Sequence, residues 1–546
     1  MRILWVSNGR RVPTGYGNQT NIFAPALKRA GHDVTIFAYY GAEGAPSIDD
    51  DGIITLPRLA DMYGNDIVRA HVDRYNIDTV ITLVNPWVLN GEQYAEMNWI
   101  AWVPVEGEPV QAADVHVLKH AKRIWAMSRH GERQLKAAGF DNVDYVQHGV
   151  DTEVFKPLDR DEARARFGKQ LGIDLTGKFV IAYNAANKGS PSRKGWYECF
   201  AAFKAFSDKH DHAVLYLHTD RDGRGGVDLL RVAEMVELDP SKVIYAPQYH
   251  YLSGMLPATF LNDMYNTADV YFHPSHGEGF GIPLLEAQAA GCPVIAPNST
   301  SMGELTMSGW VAMTRPFMHV TGQLWHVPTL DSLARALACA YEPYDDEDDT
   351  YRMAARENAL AYDHRVVLER YMLPALEKSA VTRPGTFGAS TLELGCGVRP
   401  TPGAVHHDRI KHAPHVDVAH DLDVLPWPWA DAAWDTLLAL DVPEHLHLDI
   451  QQWLDECWRI LKPGGELHLR LPAWDNPTSY RDPTHQKVFQ EESFYYWQPG
   501  HALHESYGKF YFAESARWWD VLSVTRGNAD ARYGIGDLLF TLRKRG

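Results

Sequence analysis

Short apolar runs of strand length, each followed by a turn and a helical stretch, recur along most of the chain and restrict it to an α/β architecture. Residues 2–7 enter a loop at Gly15-Tyr-Gly-Asn18, a helical stretch runs to Gly31, and a second apolar run follows over 33–38. The alternation continues through 79–84, 99–103 and 123–127. Such uninterrupted apolar runs read as strands of a parallel sheet buried on both faces. The pattern starts afresh after the polar stretch 158–178, with runs at 179–183, 213–217, 243–245, 270–272 and 293–296, and a third time at Thr391. Residues 351–378 read as one long helical segment, and 382–390 have the composition of a linker. The expected domains are therefore 1–157, 158–378 and 391–546, with 379–390 as the connection. The acidic run Asp345 to Asp349 reads as a solvated loop.

A chain of 546 residues exceeds one hydrophobic core, and 45% apolar with 22% charged residues is the balance of a packed globular enzyme. The 52 basic against 70 acidic residues leave a net charge of −18, which disfavours nucleic acid and anionic membranes at long range. Five scattered cysteines form neither a C-x-x-C pair nor a disulfide framework, and no run approaches the roughly 18 apolar residues of a membrane span. A cytoplasmic protein without a transmembrane segment is expected.

The segment from His273 to Ala296 is the most informative. It sets a glycine-rich loop between a strand and a helix that begins near Pro283. Backbone N–H groups of Gly279, Phe280 and Gly281 can approach an anion there, and the helix start adds a favourable dipole. Glu278 in the loop and Glu286 one turn into the helix flank this cradle, placed to bind sugar hydroxyls.

Glu278 and Glu286, set in Glu-Gly-Phe-Gly-Ile-Pro-Leu-Leu-Glu-Ala, resemble the paired-glutamate signature of retaining GT-B glycosyltransferases, particularly family four, over about residues 1–378. The resemblance implies two facing Rossmann-like domains and a nucleotide-diphosphate sugar as donor. It gives Glu278 to the transferred sugar and Glu286 to the ribose. Asn187 to Gly195 looks like the family's basic loop, so Arg193 and Lys194 would neutralise the donor diphosphate. Gly15-Tyr-Gly17 resembles the loop that closes over the donor phosphate, and His148-Gly-Val-Asp151 with Phe155 and Pro157 resembles the interdomain crossing. The implied chemistry is transfer with retention at C1, through positioning and charge stabilisation without a covalent nucleophile.

On the acceptor side, Glu106 occupies the position where relatives often carry a histidine, and it reads either as base or orienter or as part of the loop. Asp220-Arg-Asp222 has the spacing of a metal-binding D-x-D, but its setting reads as a loop, and no metal is expected to be required.

In the third unit, Thr391-Leu-Glu-Leu-Gly-Cys-Gly397 ends a strand in a glycine turn, and Asp408 follows a second short strand. With Asp421-Leu-Asp-Val-Leu-Pro426, Val442-Pro-Glu-His-Leu446 and Arg459 to Gly465 in order, residues 391–546 resemble class I S-adenosylmethionine-dependent methyltransferases. The resemblance implies a third Rossmann-like domain. It places Glu393, Gly395 and Gly397 at the methionine side of the cofactor, Asp408 at its ribose, Asp421 and Leu422 at its adenine, and His445 near the transfer site. The prolines of 398–403 are expected to shorten or remove the helix after the first strand. His406, His407, His412, His415 and His420 read as ordinary histidines, and Asp482-Pro-Thr-His485 stands out without an assignable chemistry.

The leading expectation is a glycosyltransferase fused to a methyltransferase, using a nucleotide sugar and a glycan or other hydroxyl acceptor. One alternative makes the last domain a noncatalytic binding or assembly module. Another has the transferase modify hydroxylated bases in DNA, with Arg10 and Arg11 as local contacts.

Overall fold

The computed structural model describes residues 1–189, 191–342, 350–378, 390–397, 400–401, 403–512, 517–529 and 536–545. The acidic run 345–349 and all but the last residue of the expected linker lie outside these. The chain divides into two units, Met1–Val381 and Thr382–Gly546.

The first unit carries two parallel sheets. One is formed by β1 (Arg2–Asn8), β2 (Asp33–Tyr40), β3 (Ser47–Ile48), β4 (Ile54–Pro57), β5 (Thr79–Leu83), β6 (Trp99–Val103), β7 (Arg123–Ala126) and β8 (Val143–Tyr145). Its order is β3-β4-β2-β1-β5-β6-β7-β8, with only the edge strand β3 antiparallel. Every residue of β5 and β6 is buried, as their unbroken apolar character requires. The indoles inside find partners: Trp102 donates to the Val146 carbonyl at 2.7 Å, and Trp99 to Thr82 at 2.9 Å.

The second sheet holds β9 (Phe179–Asn184), β10 (Ala213–His218), β11 (Val243–Tyr245), β12 (Val270–Phe272), β13 (Val294–Pro297) and β14 (Gly309–Ala312), in the order β11-β10-β9-β12-β13-β14. An antiparallel hairpin, β15 (Thr314–Met318) with β16 (Leu324–Pro328), follows it. In each sheet the strand order reverses once, between β1 and β5 and between β9 and β12. Crevices for ligands form at the carboxyl ends of strands at such reversals.

The segment expected as one long helix is broken. Thr350–Leu360 ends before Asp363, which caps His364–Val367 by accepting from the Arg365 N–H at 2.9 Å, and helical turns continue to Lys378. The break docks the segment on both lobes. The His364 N–H donates to Val150 O at 3.0 Å, and Arg356 donates to the carbonyls of Phe155 and Ala289.

The second unit has one seven-stranded sheet: β17 (Thr391–Leu394), β18 (Val405–Asp408), β19 (Val418–Ala419), β20 (Trp434–Leu440), β21 (Leu461–Leu471), β22 (Trp519–Ala529) and β23 (Gly536–Lys544). Its order is β19-β18-β17-β20-β21-β23-β22, and β23 runs antiparallel to both neighbours, so the sheet is mixed. The reversal lies between β17 and β20. No helix is assigned among the described residues between β17 and β18; residues 398, 399 and 402 of the proline-rich stretch lie outside them.

Candidate functional site

Two loops leave the second sheet at its reversal, residues 185–195 after β9 and 273–281 after β12, and both are built by close backbone contact. The first is fastened to the loop after β10 through Asn187, whose amide donates to the Asp220 and Val227 carbonyls at 3.0 and 2.6 Å and accepts from the Val227 N–H at 2.9 Å. Asp220 in turn accepts from the N–H groups of Asp222 and Arg224, so the D-x-D spacing serves its own loop. Gly195, at φ +62°, joins the two loops, since a Cβ there would lie 2.0 Å from the Pro274 carbonyl oxygen.

This fastening brings Arg193 and Lys194 onto Glu278. Arg193 Nη1 meets Glu278 Oε2 at 2.7 Å, Lys194 Nζ meets Oε1 at 2.5 Å, and the other edge of the guanidinium meets Glu106 at 2.5 and 3.1 Å. His273 Nε2 adds a contact to Glu278 Oε1 at 3.2 Å. Burial alone would raise the Glu278 carboxyl, but Arg193 and Lys194 outweigh it and hold the group well below the usual carboxylate range. The N–H groups of Gly279, Phe280 and Gly281 donate to no protein acceptor among the described residues, and the helix Ile282–Ala289 begins directly after them.

Glu286 lies in the first turns of that helix in a different setting. It is buried, and its contact is the Tyr265 hydroxyl, which donates at 2.9 Å. Burial pushes its carboxyl up to about 7.

The other lobe closes on this cradle. A Cβ on Gly279 would lie 2.4 Å from Pro104 Cβ, and one on Gly277 would lie 2.1 Å from the Glu106 carbonyl oxygen. Gly15 approaches Ile282, and Thr14 caps the helix Gly15–Arg29 by accepting from the Gly17 N–H at 3.1 Å. Tyr16 donates to Asn85 at 3.1 Å, joining the start of that helix to the loop after β5. At the crossing, Gln19 exchanges two hydrogen bonds with Gly149, and burial holds the His148 imidazole down at about 3.

Arg193, Lys194, Glu278 and Glu106 thus meet at one junction of the lobes, with Gly279 against Pro104 and Gly15 against Ile282, while Glu286 contacts Tyr265 of its own lobe. The sequence reading missed His273 and Tyr265. His273 stands five positions before Glu278, where its place in the motif could have been noticed. Tyr265 comes from the preceding helix, and only the fold brings it to Glu286. Arg10 meets Asp49 and Asp51.

In the second unit the assigned residues also fall at carboxyl ends of strands. Gly395 takes φ +67°, and a Cβ there would strike Val442 at 2.6 Å; at Gly397 a Cβ would meet nothing within 4 Å. Asp408 accepts from the Gly397 N–H at 2.8 Å, Glu393 accepts from the Thr401 N–H and hydroxyl, both at 2.6 Å, and Asp421 pairs with Arg409 at 3.1 Å. Leu422 is buried and receives the Trp427 indole on its carbonyl at 3.1 Å. His445 follows β20, beside the fully buried Glu444, whose carboxyl burial pushes up to about 8.

Residues 248–351 match the family described as Glycosyl transferases group 1, and residues 392–469 match a Methyltransferase domain. The chain carries a glycosyltransferase group 1 domain and a methyltransferase domain. The curated relatives include a D-inositol 3-phosphate glycosyltransferase of Rhodococcus erythropolis, 31% identical over 176 residues, which is 32% of this chain and 37% of the relative. The chain thus spans well under half the length of that relative. Among solved structures, a sucrose-phosphate synthase from Thermosynechococcus elongatus superposes with a TM-score of 0.54 at 17% identity, covering 70% of this chain and all of the other. A glycosyltransferase from Rickettsia africae gives 0.53 at 16% identity, covering 70% and 99%. These place the group 1 domain in the expected GT-B fold. No helix among the described residues is long and apolar enough to cross a membrane.

Proposed function

We propose that the first unit transfers a glycosyl group from a nucleotide-diphosphate sugar to an acceptor hydroxyl, with retention at the anomeric carbon. The observation that carries this reading is the convergence of Arg193 and Lys194 on Glu278, beside three N–H groups at a helix start that are unpaired among the described residues. A leaving diphosphate needs fixed positive charge and donors that require no rearrangement as its charge develops. Arg193 presents a planar fork and Lys194 a point charge, and both are positioned before substrate arrives. Glu278 is ionised across the working pH range and so accepts hydrogen bonds from sugar hydroxyls. Glu286 serves the ribose. Glu106, across the junction, orients Arg193 and faces the acceptor side. The reaction asks of the protein only positioning and charge stabilisation, with no metal.

The glycine turn after β17 and the acids Glu393, Asp408 and Asp421 suit S-adenosylmethionine, because Gly397 leaves open space at the strand end where the reversal forms a crevice. When bound, that molecule supplies an activated methyl group. Glu393, Gly395 and Gly397 would hold its methionine end, Asp408 its ribose, and Asp421 and Leu422 its adenine.

The test is a panel of nucleotide sugars read for release of free nucleoside diphosphate, with D-inositol 3-phosphate among the acceptors because relatives are named for it. Wild type is expected to turn over one donor, with Glu278→Ala and Lys194→Ala each at least about a hundredfold slower. Unchanged rates in both variants would sink the assignment, and an inverted product anomer would sink retention. Titrating the full chain with S-adenosylmethionine separates a methyltransferase from a noncatalytic module, since no heat favours the module.

A further inference from the structure

The motif Asp482-Pro-Thr-His485, to which the sequence assigned no chemistry, folds against the turn that follows β20. There Glu444, His445 and His485 each offer one ligand atom, and these atoms lie within 4.8 Å of one another. The two imidazole centroids are 4.6 Å apart.

Each member of the group is left with an unshared electron pair. Thr484 donates its hydroxyl to Asp482 Oδ1 at 2.6 Å, so it meets His445 Nδ1, at 2.8 Å, as an acceptor. His445 therefore carries its proton on Nδ1, and Nε2 keeps a lone pair. His485 Nδ1 faces the Ser479 carbonyl at 3.2 Å, which can only accept, so its Nε2 is also unprotonated. Glu444 is 0% exposed, and neither carboxylate oxygen has a hydrogen-bond partner among the described residues. A buried carboxylate without partners is costly and is retained where something compensates it. Outer partners that fix the tautomer by taking the second ring proton are the regular accompaniment of metal-bound histidine.

We propose that Glu444, His445 and His485 bind a divalent transition-metal ion, of the zinc class, with at least one coordination position left for water or a substrate oxygen. One carboxylate and two imidazoles are a ligand set for such ions, and metal–ligand bonds of about 2.0–2.2 Å require the three atoms to close by only about an ångström. Asp482 and Thr484 act as positioning residues behind His445. This departs from the expectation, drawn from sequence, that no metal is needed, and it makes His445 a ligand. It is independent of the sugar-transfer reading. The histidines of 406–420 are spent otherwise: His406, His407, His415 and His420 each place Nε2 on a backbone carbonyl, and His412 on Asp408.

The experiment uses the full-length chain stripped with chelator, titrated with Zn²⁺ by calorimetry and with Co²⁺ by visible absorption. One equivalent is expected to bind and to raise the melting temperature of the second unit. Glu444→Gln, His445→Ala and His485→Ala should each weaken binding about tenfold or more, and Thr484→Val should weaken it while keeping the stoichiometry. His415→Ala should bind as wild type. His445 and His485 are only half-buried, so their variants decide the matter even if Glu444→Gln misfolds, with near-ultraviolet circular dichroism as the check. Absence of stoichiometric binding overturns the proposal. So does binding that survives in both His445→Ala and His485→Ala, or that is lost in His415→Ala.

Discussion

Glu278 and Glu444 both stand just beyond a central parallel strand, β12 and β20, and both are withdrawn from solvent, at 6% and 0% exposure. Arg193 and Lys194 contact the first; among the described residues none hydrogen-bonds the carboxylate of the second. Burial acts on both carboxyls in the same direction, yet one is held well below the usual range and the other rises to about 8. Burial sets the cost of a charge, and the neighbours decide whether that cost is met. Around Glu278 the cations are already present and can be shared with an incoming diphosphate. Around Glu444 burial prevails, and at neutral pH the carboxyl keeps its proton unless a cation is supplied.

The largest effect should follow from removing the compensation at Glu278. Arg193→Ala leaves that carboxylate with Lys194 as its one cation beside the His273 contact, and strands Glu106; breaking such a buried pair costs about 3–5 kcal/mol. Sugar transfer is expected to fall about a hundredfold to a thousandfold. Adding Glu278→Ala should return part of the stability, read by chemical denaturation, and none of the activity. A double variant no more stable than Arg193→Ala would contradict the pairing argument.

Glu286 offers a middle case, buried with a hydroxyl but no cation. Its folded value near 7 lies above the unfolded value, so the folded state holds the proton more tightly. The stability this confers is complete below the unfolded value of about 4.5 and is lost as pH rises through about 7, amounting to about 3 kcal/mol. Glu286→Gln should flatten the pH dependence of unfolding between pH 5 and 8. A wild type equally stable at both ends of that window would remove the basis for the expectation.

A smaller effect, of opposite sign in the two regions, comes from replacing each carboxylate by its amide. Glu278→Gln removes the partner of two cations and should destabilise the first unit. Glu444→Gln, in chelated protein held above pH 8, where the carboxyl is ionised, removes an uncompensated charge and should stabilise the second by about 1–3 kcal/mol. Matching signs in thermal unfolding would break the comparison.

How far these regions could be read in advance followed from the range of their interactions. The cradle at Gly279–Gly281, both glutamates and the basic loop were legible because each lies in one contiguous stretch whose spacing carries the chemistry. The parallel sheets were legible because strands buried on both faces are apolar throughout. The break at Asp363 was not, because a capping aspartate inside an otherwise helical pattern reveals itself only when Val150 docks on the turn. The Glu444 group escaped for the same reason: His485 lies 40 residues after His445, and nothing local in either segment announces the other.

The smallest effect tests the closeness of the lobes. Gly279 is outside the left-handed φ range, so alanine there brings no left-handed strain; its Cβ would instead lie 2.4 Å from Pro104 Cβ and 2.9 Å from Pro104 Cα. The proline ring is rigid, and its strand end is fixed by the buried β6, so the loop or the lobe must move. Overpacking of this kind costs about 1–3 kcal/mol. The consequence for turnover should exceed that for binding, since in the proposed reading the displaced atoms are N–H donors to the leaving group, while Glu286, assigned to the ribose, stays in place. Gly279→Ala is therefore expected to lower kcat with little change in KM for the donor. A rise in KM at unchanged kcat would mean that the junction binds the donor without activating it.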